Sequence, residues 1–455
     1  MVDDLVGNIT DNFISELLEI QISDRDIYQA KRCLIDYVGV TLAGSKMLRE
    51  KGGSILDFLK SDSVEGVGKI VGYKHKSSLQ TAVLLNGMNA HVAELDDGER
   101  FGMFHPGAPI ISALIPLIEP EKVSGKDFLK GIILGYEAAI RLARTIQPSA
   151  KDKGYHATGI CGTIGAAIGI SIMLGFSHKQ IKDALSAAAT SASGILRVIK
   201  GRSELKPYNS GQASLNGLIA VTLARAGFNG HDDVLSGEMG LISMVADEYD
   251  LSELIGKSGS PLGIHNIYMK PYAACRHCHP AIEAALNIKS ENNLTHADIS
   301  SVKVTTYYWA VGGHEHTEIL GVNSAKMSIP YSVSVALCTG KAGMDEFSLQ
   351  KIEDTDVLSL TKKISVIDRQ ELTDLVPQKR AAIVDVITKD NQTFTARIDL
   401  PKGEPETALS DDELEDKFFS LAVFSGKTSE ESEQIVQTIW NIDVEHNINT
   451  LYDII

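Results

Sequence analysis

Positive charge is what this chain has too little of: 43 Lys and Arg stand against 59 Asp and Glu, a formal net charge of −16 over 455 residues. A phosphate backbone needs a basic stripe, and no basic run occurs, so nucleic acid is excluded as a partner. An acidic chain can still take an acidic ligand where a few cations converge in one pocket. Cysteine is sparse as well, with five residues at 33, 161, 275, 278 and 338. Cys275 and Cys278 have no matching pair elsewhere, so neither a disulfide framework nor a closed four-ligand zinc site is assembled, and no metal is expected. The opening MVDDLVGNIT is acidic and polar, which with the few cysteines predicts a cytoplasmic enzyme with reduced thiols. One stretch, ATGICGTIGAAIGISIMLGFS (157–177), is uncharged for long enough to cross a bilayer. It contains as much Gly, Ala, Ser and Thr as Ile and Leu, the composition of a helix packed on all sides by other helices, so no membrane span is expected. Pro207 to Ala224 repeats that character.

Hydrophobic residues at 44% and charged residues at 22% are those of a soluble globular protein, and the length suits two domains better than one. Ser23 and Asp24 can cap a helix whose apolar face is Ile27, Ala30, Cys33, Leu34, Tyr37 and Val38, with Gly44 ending it. Ile55–Leu59, Leu79–Ala93, Ala108–Ile118 and Phe128–Ile146 continue in the same style, and no period-two pattern appears as far as Gly227. After the break GKSGSPLG (256–263) the segments 302–311, 363–372 and 381–400 alternate and favour β-branched residues, the last as a hairpin turning at Asp390 and Asn391. His279–Ile288 and Ile329–Thr339 read as helices between them. The fold predicted is mainly α: a large all-helical domain built from 1–264 with 408–455, and a smaller α+β lid domain over 265–407.

Chemistry concentrates in NGMNAHVAELDDGERFGMFHPGAP (86–109). Glu94, Asp96, Asp97 and Glu99 precede His105, which Pro106 pushes out of helical geometry, while glycines at 98, 102 and 107 free the chain on either side. This reads as a polar loop between two helices, and carboxylates beside an imidazole are equipment for moving protons near neutral pH. An acidic surface loop with a structural histidine is the plainer alternative. His156, near the first turn of the long uncharged helix, and Lys206, before the Pro that opens the second, look like an anion pocket. In KPYAACRHCHP, Arg276 can form a bidentate pair with a carboxylate while His279 orients the helix that follows. His105, flanked by carboxylates, should have a raised pKa and act as principal acid and base; His156, near a positive helix terminus, should have a lowered one and assist.

These segments, with HPGAPIISALIPLIE, GYEAAIRLAR, GYHATGICGTIGAA, ELKPYNSGQAS, KPYAACRHCHPAIEAA and MSIPYSVSVAL, together resemble the MmgE/PrpD family from about residue 8 to about 450. That family includes 2-methylcitrate dehydratases, cis-aconitate decarboxylases and an iminodisuccinate epimerase. The resemblance implies a large helical domain made from both chain ends, a smaller α+β lid with the active site in the cleft between, a homodimer, and no metal or organic cofactor. It places the family's acidic turn on Glu94 and Asp97, its paired histidines on His105 and His156, its pocket lysine on Lys206, and its lid turn on Cys275 and Arg276.

Two departures stand out. The relatives' D-F-D-D-T is here Glu94-Leu95-Asp96-Asp97-Gly98, so one acid is longer by a methylene and a hydroxyl is missing. The reaction implied is proton abstraction next to a carboxylate of a small di- or tricarboxylic acid, with Lys206 and Arg276 holding the carboxylate. Loss of water ranks first, epimerisation second and decarboxylation third; a lapsed carboxylate-binding homologue is the non-enzymatic alternative.

Overall fold

A computed structural model describes residues 8–51, 66–199 and 203–455 of the chain. The helix expected at Ile55–Leu59 lies outside them. The architecture is mainly α, and the chain divides into two compact units. The first takes the described residues of Met1–Val198 with Leu205–Ile267 and Ser410–Ile455; the second contains Tyr268–Leu409.

The first unit is helical. Its longer helices are α1 (Ile9–Glu19), α2 (Asp24–Lys51), α3 (Leu79–Val92), α4 (Gly107–Leu114), α5 (Gly125–Ile146), α6 (Ala157–Met173), α7 (His178–Ser191) and α8 (Lys206–Arg225). Polar caps mark where several begin: Asn8, Ser78, Ser124 and Ser177 each accept a backbone N–H from the first turn. Gly44 does not end α2, which runs on to Lys51. A Cβ at Gly44 would lie 1.8 Å from the Asn89 carbonyl oxygen, so this glycine serves the crossing of α2 and α3 rather than a helix stop.

The uncharged stretch read as a tightly packed helix is α6, whose every residue is buried. It packs against α5 and α8. Small residues are required where α5 and α6 cross, because a Cβ on Gly135 would come within 2.8 Å of the Gly165 carbonyl oxygen. A Gly135→Leu change cannot be absorbed by a side-chain rotation, since backbone stands in the way. We expect it to cost about 3 kcal/mol or more, as overpacked cores do, measured as a lower denaturant midpoint at unchanged slope. No helix among the described residues is long and apolar enough to cross a membrane.

The helix Asp411–Ser425, in the segment that returns to the first unit, packs on α2. Lys417 fastens it, with its Nζ 2.6 Å from Asp36 Oδ1 on α2 and 2.9 Å from the Leu95 carbonyl oxygen. That pin joins the end of the chain to the loop that carries the acidic residues.

The second unit holds a four-stranded sheet with strands β1 (Ile299–Thr306), β2 (Ile364–Asp368), β3 (Ala382–Thr388) and β4 (Thr393–Ile398), in the order β2-β1-β3-β4. β1 and β2 run parallel with Val302 opposite Ile364, and the connection between them carries the helix Ile329–Thr339. β3 is antiparallel to both neighbours, pairing Val384 with Val304 and Val386 with Phe394. The helix His279–Asn292 packs on β3 and β4. The strand expected over 302–311 stops at Thr306, and Tyr308–Val311 is a helical turn. Its pairing is closed there by the Arg369 N–H donating to the Thr306 carbonyl, after which Tyr307 buries its ring. A further extended piece, Gly98–Glu99, is two residues long and lies in the acidic loop of the first unit.

Candidate active site

The segment 86–109 is only partly loop. Asn86 to Val92 is the end of α3, and the loop proper runs from Ala93 to Pro106. It is not a solvated acidic surface, since Glu94, Asp96, Asp97 and Glu99 are each 5% exposed or less. Buried carboxylates need partners, and the partners here organise the loop. Glu99 binds Arg144 at 2.7 Å and accepts the Gly102 N–H, closing a tight turn in which Glu99 and Phe104 pair backbone to backbone. Asp97 accepts the Gly107 N–H at 3.0 Å and the Tyr136 hydroxyl at 2.8 Å, which ties the loop to the start of α4 and to α5. Glu94 sits just past the end of α3 at a φ of 57°, the left-handed region that costs a non-glycine residue roughly 1 kcal/mol or more. Its carboxylate is held by Lys206 at the head of α8.

Three imidazoles meet these acids. His91, in the last turn of α3, is wholly buried and places Nδ1 2.6 Å from Asp96 Oδ2. The same oxygen lies 3.5 Å from His105 Nδ1. The ring centroids of His91 and His105 are 5.1 Å apart, and those of His91 and His156 are 6.2 Å apart. The His105 backbone N–H donates to Thr158 Oγ1 at 3.2 Å, so the first turn of α6 helps set where the loop histidine stands.

Hydrogen-bond partners decide which nitrogen of each ring carries the proton. His105 Nδ1 is 2.6 Å from the Asp97 carbonyl oxygen, which can only accept. The proton therefore sits on Nδ1, and in the neutral ring Nε2 is the basic nitrogen. His156 has the opposite tautomer. Asn209 Nδ2 lies 3.0 Å from His156 Nδ1 and also 3.5 Å from the Ile195 carbonyl oxygen, which orients the amide as donor, so His156 accepts at Nδ1 and carries its proton on Nε2. Burial, with the nearby His91 and Lys206 adding to it, pushes the His156 pKa down to about 3. The direction agrees with expectation, but desolvation is the main cause rather than the helix terminus. A pKa lowered that far keeps the His156 ring neutral near pH 7. Asp97 is pushed the other way, up to about 7, by burial and by the charges of Asp36 and Asp96.

These two shifts have opposite signs in stability. The raised Asp97 supports the folded state fully below its unfolded pKa and loses that support as pH rises through about 7. The lowered His156 supports it above its ordinary 6.5 and loses that support as pH falls toward about 3. Between about pH 5 and pH 7 the contributions run against each other by about 2 kcal/mol each. Each single variant should expose the other: His156→Gln should lose stability as pH rises across this window, and Asp97→Asn as pH falls. Denaturant unfolding at several pH values checks this, and parallel profiles for both variants and the parent would contradict it.

In the second unit, Arg276, expected to hold a substrate carboxylate, pairs with a carboxylate of the chain itself. Its Nη2 is 2.6 Å and its Nε 3.2 Å from Glu404 Oε1, and its Nη1 is 3.0 Å from His279 Nδ1. Only 3% exposed, with the guanidinium 4.6 Å from the Tyr268 ring centre, it is built into a buried ion pair. Those contacts tie it to the turn before His279–Asn292, where His279 also bonds the Ala274 carbonyl at 3.0 Å. Cys275 is partly exposed, with Sγ 3.4 Å from His314 Nε2. Lys270 and Lys326 are buried in the same unit with Arg380. Among the described residues no group of three His, Cys, Asp or Glu is arranged to hold a metal ion.

Of the residues singled out from the sequence, Glu94, Asp97, His105, His156 and Lys206 come together within the first unit, while Cys275 and Arg276 lie in the second. His91, Tyr136 and Asn209 were passed over. His91 had a signal, the NG-x₃-H spacing at the end of a helix that runs directly into the acidic loop. Tyr136 and Asn209 had none, because a tyrosine or asparagine on an otherwise apolar helix is common and its partner is set by packing alone.

Two family models cover most of the chain: the MmgE/PrpD N-terminal domain matches residues 11–254 and the MmgE/PrpD C-terminal domain matches residues 272–442. Among curated proteins, the cis-aconitate decarboxylase-like protein oryM of Aspergillus oryzae is 25% identical over 99% of this chain and 97% of its own length. Cis-aconitate decarboxylase of Aspergillus terreus is 23% identical over 98% of this chain and 93% of its own length. The human protein of that name is 25% identical over 96% and 93%. With both domain models matched in order along this helical fold, the chain belongs to the MmgE/PrpD family.

Proposed function

We propose that this chain is a lyase of a small di- or tricarboxylic acid, in which His105 carries a proton to or from a carbon beside a carboxylate. The observation that carries the reading is the pair of opposite tautomers. His105 is held with Nδ1 donating to a carbonyl, which leaves Nε2 as base, while His156 is held as a neutral Nε2–H donor. A base and a fixed donor, each beside His91, are the equipment needed when removal of a proton moves charge onto a carboxylate oxygen. Lys206 adds a cation to the same cluster through its contact with Glu94. Asp96, 3.5 Å from His105 Nδ1, favours the imidazolium formed when the proton arrives.

Carbon dioxide is the leaving group that the names of the relatives favour; the carbanion left behind would take its proton from His105. Loss of water is the second reading, supported by the Lys206 ammonium beside Glu94, a proton donor suited to a departing hydroxyl. In either case we place the enzyme in the cytoplasm as a homodimer that works without metal or organic cofactor. Incubating the full chain in D2O with cis-aconitate, citrate and 2-methylcitrate, followed by proton NMR, separates the outcomes. Loss of a carboxyl group supports the first reading, loss of water the second, and exchange at one carbon without net product an epimerase. No change with any member of a broad polycarboxylate panel would overturn the enzymatic reading and leave a carboxylate-binding protein.

A further inference from the structure

We propose that His91 is a positioning residue: by donating from Nδ1 to Asp96 Oδ2 at 2.6 Å it holds that carboxylate charged and in place 3.5 Å from His105 Nδ1, and so sets how strongly His105 holds a proton. The proposal rests on His105 being the proton carrier of the proposed function.

The geometry is one of a single oxygen shared between two imidazoles. Asp96 is 4% exposed, so its charge is costly unless hydrogen bonds support it. His91 is 0% exposed, and its Nε2 has no hydrogen-bond partner among the described residues. A ring placed there for packing alone would be better replaced by an apolar one, because burying a polar nitrogen without a partner is unfavourable. Its Nδ1 contact is what the position offers in return.

Other charged and titratable groups near these rings have contacts of their own. Glu94 and Lys206 neutralise each other directly. Asp36, on α2, is paired with Lys417. Asp97 directs its carboxylate oxygens to Gly107 and Tyr136 and offers His105 only its backbone carbonyl. His156 is turned to Asn209 and stays neutral. Asp96 is therefore the anion that both His91 and His105 address. If His91 no longer donates to it, burial favours the protonated acid, and a neutral Asp96 stabilises the His105 imidazolium less.

Histidine-selective 13C and 15N labelling of the full chain, with NMR titration of each ring, tests this without any substrate; a His105→Gln sample identifies the His105 signal. His91→Leu is expected to lower the His105 pKa by about one unit, a tenfold smaller imidazolium fraction at a given pH. Asp96→Asn should shift it by the same amount, and the double variant no further. His91→Asn places an amide N–H where Nδ1 was and should leave the value within a few tenths of the parent. If His91→Leu does not fold, the contrast between His91→Asn and Asp96→Asn decides. An unchanged or raised His105 pKa in Asp96→Asn overturns the proposal, as does a His91→Asn protein that titrates like Asp96→Asn. The titration stands apart from turnover, so inactivity on every carboxylic acid would sink the proposed function while leaving this result intact.

Discussion

His105→Gln should lower turnover by about two to four powers of ten with little change in KM, the range over which general acid–base groups contribute. The glutamine side chain can hydrogen-bond but cannot pick up and release a proton near neutral pH. The surroundings should survive the change, since His105 is anchored through its backbone N–H to Thr158 and its ring bonds a backbone carbonyl, that of Asp97. Only a loss confined to the chemical step fits that arrangement. Measured on whichever carboxylic acid the enzyme turns over, near-normal turnover in His105→Gln would remove the assignment. The role would then pass to the His91–Asp96 pair, because His156 is held neutral and oriented as a donor.

Lys206→Ala should act on two quantities at once. Removing a charged hydrogen-bond donor from an acidic substrate should raise KM by about tenfold to hundredfold. The same change strips Glu94 of its cation while that carboxylate remains 5% exposed in a left-handed backbone position. Leaving one buried partner behind typically costs about 3 kcal/mol or more in stability. A second substitution, Glu94→Gln, separates the effects: Lys206→Ala with Glu94→Gln should recover most of the stability and none of the affinity. Denaturant unfolding reads the first quantity and steady-state kinetics or calorimetry the second. A KM unchanged in Lys206→Ala would take Lys206 out of substrate binding and make it only the counter-ion of Glu94.

Helix positions, the period-two strands and the family resemblance could be read from the chain because each is written locally. Capping serines, runs of small residues and alternation in AAIVDVITKDNQTFTARIDL depend on neighbours a few residues apart, and the helices and hairpin fall where those patterns lie. Local reading failed where a distant backbone set the outcome. Gly44 looked like a helix stop and is a crossing point because Asn89 lies against it, and Tyr308–Val311 favours strand by composition but has no neighbour left to pair with.

The same division holds at the site. That carboxylates, histidines and a lysine would serve acid–base work on an acidic substrate followed from their identities and spacing, since side-chain chemistry belongs to the residue. What surrounds each group was decided only by the tertiary fold. The Asp97 carbonyl and the Asn209 amide give His105 and His156 opposite tautomers, burial raises the pKa of Asp97 and lowers that of His156, and Glu404 takes the guanidinium of Arg276 into an ion pair. Proton position, dielectric and partner are properties of the space around a side chain, and residues far apart in sequence create that space: Asn209 is 53 positions from His156, and Glu404 is 128 from Arg276.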